Sequence, residues 1–325
     1  MKRAKKKKQG MIIKRIKKIL KKWKKSWEQT GPECTAALIG VGILSALLEI
    51  KKELSEFCVR KYTLKVPYES ENGEAVKVIF VSDLHGKQYG KNNVSLIRAI
   101  KEEQPDFILS GGDILTRSEE ATDHTAIRFY QNLSEICPVY AANGNHEQRM
   151  KENSEYYGFR YARMKKQLEN SGVKILENES VDIDMKGIPV TITGFETPLK
   201  CYSHFKSVPL DLSEMIERIG MAERERFQIL LAHNPAYMKQ YADWGSKLTL
   251  SGHLHGGLVR IPGIGGLITP QARLFPKYSG DMYIKDNKAC IVSRGLGTHT
   301  VNIRLFNMPE VVSITLLPKN TNHKK

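Results

Sequence analysis

The sequence predicts an α/β fold built as one large domain. Two observations carry this. From residue 76 onward, short apolar runs alternate with stretches of helical periodicity. Five of those apolar runs stop abruptly in Asp, Asn or His, mostly beside Gly. Neither a repeat of fixed period nor a central linker interrupts the alternation. The chain of 325 residues is long enough to bury a sizeable core, and one α/β domain of about 240 residues is the simplest reading.

Taken in order, 59–66 reads as a strand stopped by Pro67, and 69–74 as a polar turn. VKVIFV (76–81) is a buried strand. Helix is expected over 92–103, strand over 106–110, helix over 119–136 and strand over 138–142. A long amphipathic helix follows over 153–171. Segments 173–177, 181–185 and 189–195 read as successive strands of a meander. Helix is expected over 212–219, then strands over 227–232 and 248–250. Residues 258–280, rich in Gly and Pro, read as a loop, too long for a plain connector. Phe275 and Tyr278 in it carry two readings, the wall of an acyl or nucleotide site and a packed surface loop. Strands over 282–284, 289–293 and 311–317 finish the domain, and 319–325 is a polar tail.

Ahead of the domain the composition changes. Residues 1–33 hold fourteen Lys and Arg against Glu28 and Glu33, whereas the rest holds 37 basic and 33 acidic residues. The net charge of +16 is therefore a property of the tail. Ile12, Ile13, Ile16, Ile19, Leu20, Trp23 and Trp27 recur at helical spacing with Lys and Arg opposite. This is the composition of a helix lying on an anionic membrane surface; a solvated basic helix and a nucleic-acid contact are the alternatives. Gly31-Pro32 breaks it. Residues 34–48 carry no charge, slightly short of a full span. They fit a short or tilted span, an interfacial or re-entrant helix, or a helix packed on the body. No cleavage site marks a signal peptide. A span would keep the basic tail cytoplasmic and the body across the membrane; an interfacial helix leaves the body cytoplasmic. The expected division is thus 1–33 basic tail, 34–50 membrane-associated segment, 51–75 strand and linker, 76–318 catalytic domain and 319–325 tail.

The five cysteines, Cys34, Cys58, Cys137, Cys201 and Cys290, are scattered and never form a CxxC pair. That argues against a disulfide framework and a cysteine zinc site.

The chemistry sits in VIFVSDLHG (78–86), DFILSGGD (106–113), VYAANGNHE (139–147), FQILLAHNP (227–235) and KLTLSGHLHGG (247–257). Ligands of α/β sheets bind beyond the carboxyl ends of the strands. Five such ends on one side bring Asp83, His85, Asp113, Asn145, His146, His233, His253 and His255 together. Imidazole, carboxylate and amide oxygen suit Mn, Fe or Zn. So many ligands are too many for one ion and fit two, bridged by a carboxylate. Two such ions clamp phosphate oxygens and supply hydroxide at neutral pH. The residues alone thus read as a dinuclear phosphoester hydrolase. Capping or core hydrogen bonding would explain any one of them singly.

SDLHG, GGD, GNHE, a His after a strand, and GHLHGG, in that order, resemble the motifs of the calcineurin-like metallophosphoesterases. The downstream run RIPGIGGL, FPKYSG, SRGLGT, NMPEVVSITL is similar to the membrane-associated bacterial branch, which resembles the UDP-2,3-diacylglucosamine pyrophosphohydrolases. The resemblance implies a four-layer α/β/β/α sandwich of two mixed sheets. It implies Asp83, His85 and His255 on one metal, Asp113 as bridge, and Asn145, His233 and His253 on the other. His146 would face the substrate and serve the leaving oxygen. Glu147 stands where many relatives have Asp, and Leu254 where they often have Thr, which touches no ligand.

Arg149 and Arg294 each carry two readings, a phosphate contact and an ordinary ion pair. His124, His204, His299 and His323 fall outside the motifs and read as structural or surface residues, His299 least firmly. The expected function is hydrolysis of a phosphomonoester, phosphodiester or pyrophosphate at or near a membrane, on a lipid- or nucleotide-linked substrate. The rivals are a nuclease or cyclic-nucleotide phosphodiesterase whose tail binds nucleic acid, and a non-catalytic binding protein at the membrane surface. The near-neutral body speaks against nucleic acid.

Overall fold

The computed structural model describes residues 18, 21, 32–70, 73–203, 208–270, 273–299 and 301–319. The basic amphipathic helix expected over 11–27 lies outside the described residues, except Lys18 and Lys21, as do His204 and His323. The chain divides into two compact units, Met1–Lys51 and Lys52–Lys325.

The first unit holds most of helix Pro32–Glu53. Leu38, Val41, Leu44 and Leu48 on it are exposed. No helix among the described residues is long and apolar enough to cross a membrane. Fifteen residues rise only about 22 Å at 1.5 Å each, short of a hydrocarbon core of about 30 Å.

The second unit is built on two six-stranded sheets and a small ribbon. Its strands are β1 (Cys58–Lys65), β2 (Val76–Val81), β3 (Phe107–Ser110), β4 (Val139–Ala142), β5 (Val173–Leu176), β6 (Ser180–Met185), β7 (Ile188–Phe195), β8 (Phe227–Ala232), β9 (Leu248–Ser251), β10 (Val259–Ile261), β11 (Gly265–Ile268), β12 (Asp281–Lys285), β13 (Lys288–Val292) and β14 (Glu310–Leu317). The first sheet runs β1-β14-β2-β3-β4-β5 and the second β12-β13-β9-β8-β7-β6. Both are mixed: β2 to β5 are parallel while β14 opposes β2, and β7, β8, β9 and β13 are parallel while β6 and β12 oppose their neighbours.

Side chains alternate between faces along a strand, and here both faces are covered. From β2, Val78 and Phe80 enter the core between the sheets, with Ile229 and Leu231 of β8 and Ile314 of β14. Ile79 and Val81 point the other way, onto Leu96, Phe129 and Leu168 from helices Val94–Glu102, Ala121–Ser134 and Arg160–Asn170. Leu230 and Ala232 of β8 meet Met215 and Tyr241 from helices Leu212–Ile219 and Met238–Trp244. Burial on both faces is why these strands read as unbroken apolar runs. The result is the four-layer α/β/β/α sandwich.

Several elements differ from the sequence reading. The helix expected over 153–171 is broken into Ser154–Tyr157 and Arg160–Asn170 at Gly158, whose φ is 59°. The three strands read as a meander belong to two sheets. β5 pairs with β4, and only β6 and β7 form a hairpin. The loop 258–280 contains the ribbon β10–β11. Helices Asn145–Glu152 and Met238–Trp244 were not foreseen. β1 pairs with β14 along its whole length, so it is an edge of the first sheet and not a lead-in to it.

Arg294 is the clearest revision. Its Nη2 donates to Asp281 Oδ1 at 2.6 Å and its peptide N–H to Glu310 Oε1 at 3.1 Å. Glu310, 0 % exposed, also accepts from Arg60 Nε at 2.7 Å. Arg294 is thus held in ion pairs tying β12 of the second sheet to β14 and β1 of the first, and it does not line the cleft described below. Removing one partner of a buried pair strands the other charge. Glu310→Gln is therefore expected to lower stability by about 3 kcal/mol, read as a lower midpoint in urea denaturation. An unchanged midpoint would show that the network contributes nothing.

Candidate metal centre

Six strands, three mutually parallel in each sheet, carry the site. β2, β3 and β4 of the first sheet deliver Asp83, Asp113 and Asn145, while β8 and β9 of the second deliver His233 and His253. β13 runs parallel to β9, so its carboxyl end, 293–299, reaches the same rim.

The loops are fastened to one another by backbone bonds. Asp83, His85 and Gly86 donate N–H to the carbonyls of Gly112, Asp113 and Ile114, at 2.9, 3.1 and 2.9 Å. Gly252 N–H donates to His233 O at 3.0 Å. Gly297 N–H donates to Asp83 O at 2.6 Å, joining the sheets across the cleft. Asp83, His85, Asp113, His253 and His255 all have positive φ, between 49° and 70°. Non-Gly residues rarely adopt this region, and each such residue costs on the order of 1–3 kcal/mol unless its surroundings hold it. The strain turns the side chains inward.

Asp113 is the most constrained of the group. Its Oδ1 accepts from His146 N–H at 2.8 Å. Glu147 grips its loop: Oε2 accepts from the N–H of Asp113 at 2.8 Å and of Gly144 at 3.0 Å, and Oε1 from Ile114 N–H at 2.9 Å. Burial, then the Asp113 charge, pushes the Glu147 carboxyl up to about 7. A Cβ on Gly144 would sit 2.2 Å from Asp113 Oδ1, so only Gly fits there.

Three ligand-type groups converge at each of two points. Asp83, His85 and His255 offer atoms within 4.8 Å of one another, and so do Asp113, His233 and His253. His85 Nε2 lies 3.2 Å from His255 Nε2 and 3.9 Å from Asp113 Oδ2, so the clusters adjoin at Asp113. His85, Asp113 and His146 form a third, overlapping grouping.

The tautomers test whether cations fit. His233 Nδ1 lies 2.7 Å from Gly111 O and His255 Nδ1 lies 3.1 Å from Gly297 O. A carbonyl oxygen only accepts, so both rings carry their proton on Nδ1. The other nitrogen of each faces a carboxylate: His233 Nε2 is 3.1 Å from Asp113 Oδ2 and His255 Nε2 is 3.5 Å from Asp83 Oδ1. Two acceptors face each other unless a positive charge lies between. Burial works against charging His233, yet the Asp113 and Asp83 carboxylates raise it to about 10. Burial holds His85 and His253 well below the usual range, and burial together with Arg304 brings His255 down to about 3. Neutral imidazole is the form that binds a metal. Asn145 Oδ1 is buried with no hydrogen-bond partner among the described residues. This donor set fits two hard or borderline divalent ions.

His146 is placed differently. Its Nδ1 accepts the N–H of Arg117 at 3.0 Å, which leaves Nε2–H as its donor. The Arg117 loop is braced in turn by Arg160, whose Nη1 donates to Arg117 O and whose guanidinium pairs with Asp123. Arg304, 1 % exposed, props the opposite side, donating from Nη2 to Gly297 O at 2.6 Å. Asn307 Nδ2 donates to His255 O at 2.6 Å.

All eight motif residues therefore meet. Arg149 lines the adjoining cleft, of about 270 Å³, and so do Arg117, Tyr202 and His299. The sequence reading set His299 aside, yet its ring packs 4.5 Å from His146 and 5.2 Å from His85. The available signal was SRGLGTH, a His closing a Gly-containing turn after the apolar run of β13. Tyr202, 4.9 Å from His253, follows β7 and carries no motif. Arg117 lies four residues past the GGD motif.

Comparison with known proteins agrees with this geometry. The calcineurin-like phosphoesterase family signature matches residues 76–257, more than half of the chain, and the chain belongs to that family. It is 27 % identical over 237 residues to the uncharacterized metallophosphoesterase YkoQ of Bacillus subtilis, covering 73 % of this chain and 82 % of that one. It is 25 % identical over 258 residues to phosphodiesterase YaeI of Escherichia coli, covering 78 % and 86 %. A transmembrane protein with metallophosphoesterase domain from Bos taurus is 24 % identical over 252 residues, covering 74 % and 53 %. The family is dinuclear and metal-dependent, and the chain is a metal-dependent phosphohydrolase.

Gly144→Ala drives a methyl group into Asp113 Oδ1 and is expected to leave a folded protein that retains at most one of its two metal equivalents in elemental analysis. Retention of both with unchanged affinity would show that Asp113 is not fixed as described.

Proposed function

We propose that Asp83, His85 and His255 hold one divalent ion, that Asn145, His233 and His253 hold the other, and that Asp113 bridges them to hydrolyse a phosphate ester. The observation that carries this assignment is the convergence of His233 Nε2 and His255 Nε2 on buried carboxylates, with Nδ1 of each ring turned to a backbone carbonyl. When bound, two such ions polarise phosphoryl oxygens and supply the nucleophile at neutral pH. The chain's own groups do the rest. His146, its Nδ1 occupied by the Arg117 N–H, offers Nε2–H to the leaving oxygen. Arg149 and Arg117, on the cleft wall, match phosphate oxygens through their planar forks. Asp113→Asn and His233→Ala are each expected to lose a metal and at least about a hundredfold in turnover of p-nitrophenyl or bis-p-nitrophenyl phosphate. Full turnover with full metal content in either variant sinks the assignment.

The substrate is met at a membrane surface in this reading, where lipid- or nucleotide-linked phosphates are within reach. Its support is the basic amphipathic pattern of residues 11–27 and the exposed apolar side chains of helix Pro32–Glu53; the bovine relative is named a transmembrane protein. Each Lys near an anionic surface contributes roughly 1 kcal/mol. Replacing Lys17, Lys18, Lys21 and Lys22 by Gln is then expected to weaken binding to phosphatidylserine vesicles by two to three powers of ten, roughly, in co-sedimentation at constant salt. Unaltered binding removes the basic segment from the membrane reading. Binding to nucleic acid in place of vesicles, falling steeply with salt, would favour the nuclease alternative.

A further inference from the structure

A second chamber, of about 350 Å³, lies beside the metal cleft. The side chains of His85 and His299 line both, so one layer of imidazole separates them. The other walls come from the turn after β2, from the stretch around Glu119, and from the segment leading out of β13. Of the motif residues, His85 and Gly86 belong to the chamber.

Its lining limits what it can take. Carboxylates at Glu53 and Glu119 are matched by cations at Lys87 and Arg304. Arg304 directs its Nη donors to the carbonyls of Gly295, Gly297 and Asn307. The chamber thus offers no surplus of positive charge to select a second phosphate. Leu54, Tyr89, Leu296, Val301 and Pro309 are its apolar members, interrupted by Glu53, Lys87, Glu119, Thr298 and Asn302 and so not a continuous sheath for an acyl chain. Hydrogen-bonding groups stand close together instead. Thr298 Oγ1 donates to Asn302 Oδ1 at 2.7 Å, and Lys87 Nζ donates to Leu54 O at 2.7 Å. The Glu119 carboxylate accepts, whereas Asn302 Nδ2 and Lys87 Nζ donate. A neutral group bearing hydroxyls satisfies both kinds.

We propose that this chamber is a second substrate subsite, which holds a hydroxyl-bearing arm esterified to the phosphorus bound in the metal cleft. The preferred substrate is then a phosphodiester with one polyol-like or sugar-like arm. The inference rests on the phosphohydrolase reading and narrows it, because a monoester has no second arm to place. The arm leaves phosphorus past His299 and occupies the chamber, while the leaving group departs on the His146 side. Water adds its oxygen to phosphorus and the bond to the leaving oxygen breaks. One water proton goes to the leaving oxygen or to solvent, and the other stays on the new phosphate monoester or is released.

The test uses the full chain loaded with manganese and three chromogenic esters: p-nitrophenyl phosphate, methyl p-nitrophenyl phosphate and glyceryl p-nitrophenyl phosphate. The expected kcat/KM for the glyceryl diester exceeds that for the methyl diester by about tenfold or more, the worth of one or two hydrogen bonds. In Glu119→Ala and in Asn302→Trp, which empties or fills the chamber, that glyceryl-to-methyl ratio falls towards one. Equal rates for the two diesters in the unaltered protein, a ratio indifferent to both substitutions, or a monoester turned over faster than either diester overturns the inference while leaving the phosphohydrolase reading standing. Hydrolysis of none of the three overturns both.

Discussion

The second unit is arranged around a buried carboxylate whose Oδ1 accepts the His146 N–H and whose Oδ2 faces an imidazole nitrogen. Asp113 is 2 % exposed, and its Oδ2 looks at His233 Nε2, a nitrogen whose proton has been drawn to the far side of the ring by Gly111 O. Leaving such a pair uncompensated inside a protein costs several kcal/mol. The chain could have relieved it with a hydroxyl or an amide. It supplies more acceptors instead: Asp83 Oδ1 lies 3.7 Å from the same nitrogen. A positive charge answers that arrangement, either a second proton on His233, which the two carboxylates raise to about 10, or a divalent ion in its place, while burial keeps His85 and His253 neutral.

That arrangement asks much of the backbone. Five of the seven residues assigned to the ions take left-handed dihedrals, and loops alone would relax out of them. They hold because each loop leaves a strand buried on both faces and is stapled to the next loop within a residue or two. Glu147 is the strongest of these staples. It lies at the third position of helix Asn145–Glu152 and reaches back to N–H groups of both the GNHE and the GGD segments, in the manner of a capping box. One carboxylate therefore caps a helix and fixes Asp113. This also gives a physical reason for an acidic residue after His146 that owes nothing to metal binding.

What the sequence made legible was whatever recurs with a period or sits beside a strand end. Val76–Val81 and Phe227–Ala232 were readable because both of their faces are buried, and the ligands were readable because each follows such a run at once. Helix Asn145–Glu152 was not, since it begins inside the motif and its stretch NHEQRMKE shows no apolar stripe beyond Met150. The split at Gly158 was hidden by apolar spacing that continues across it. β5 looked like the first strand of a meander because the short link to β6, residues 177–179, resembles a hairpin turn, whereas it carries the chain from one sheet to the other. Arg294 carried two readings, a phosphate contact and an ion pair, and only the fold shows Asp281 and Glu310 already holding it.

His299 and Tyr202 show a deeper limit. Each stands in the site because β13 and β7 run parallel to β8 and β9, a property of sheet order that no local pattern encodes. The site draws on both sheets, with Asp83, His85, Asp113 and Asn145 from one and His233, His253 and His255 from the other. Its geometry is therefore set by how the two sheets pack as much as by any loop. Interiors packed at crystal density transmit displacement rather than absorb it. The bond from Gly297 N–H to Asp83 O and the buried guanidinium of Arg304 against Gly297 O are the points where that packing reaches the ligands. The core between Phe80, Ile229 and Ile314 is in this sense part of the metal centre: a change that shifted one sheet on the other would move three ligands relative to the remaining four without touching any of them.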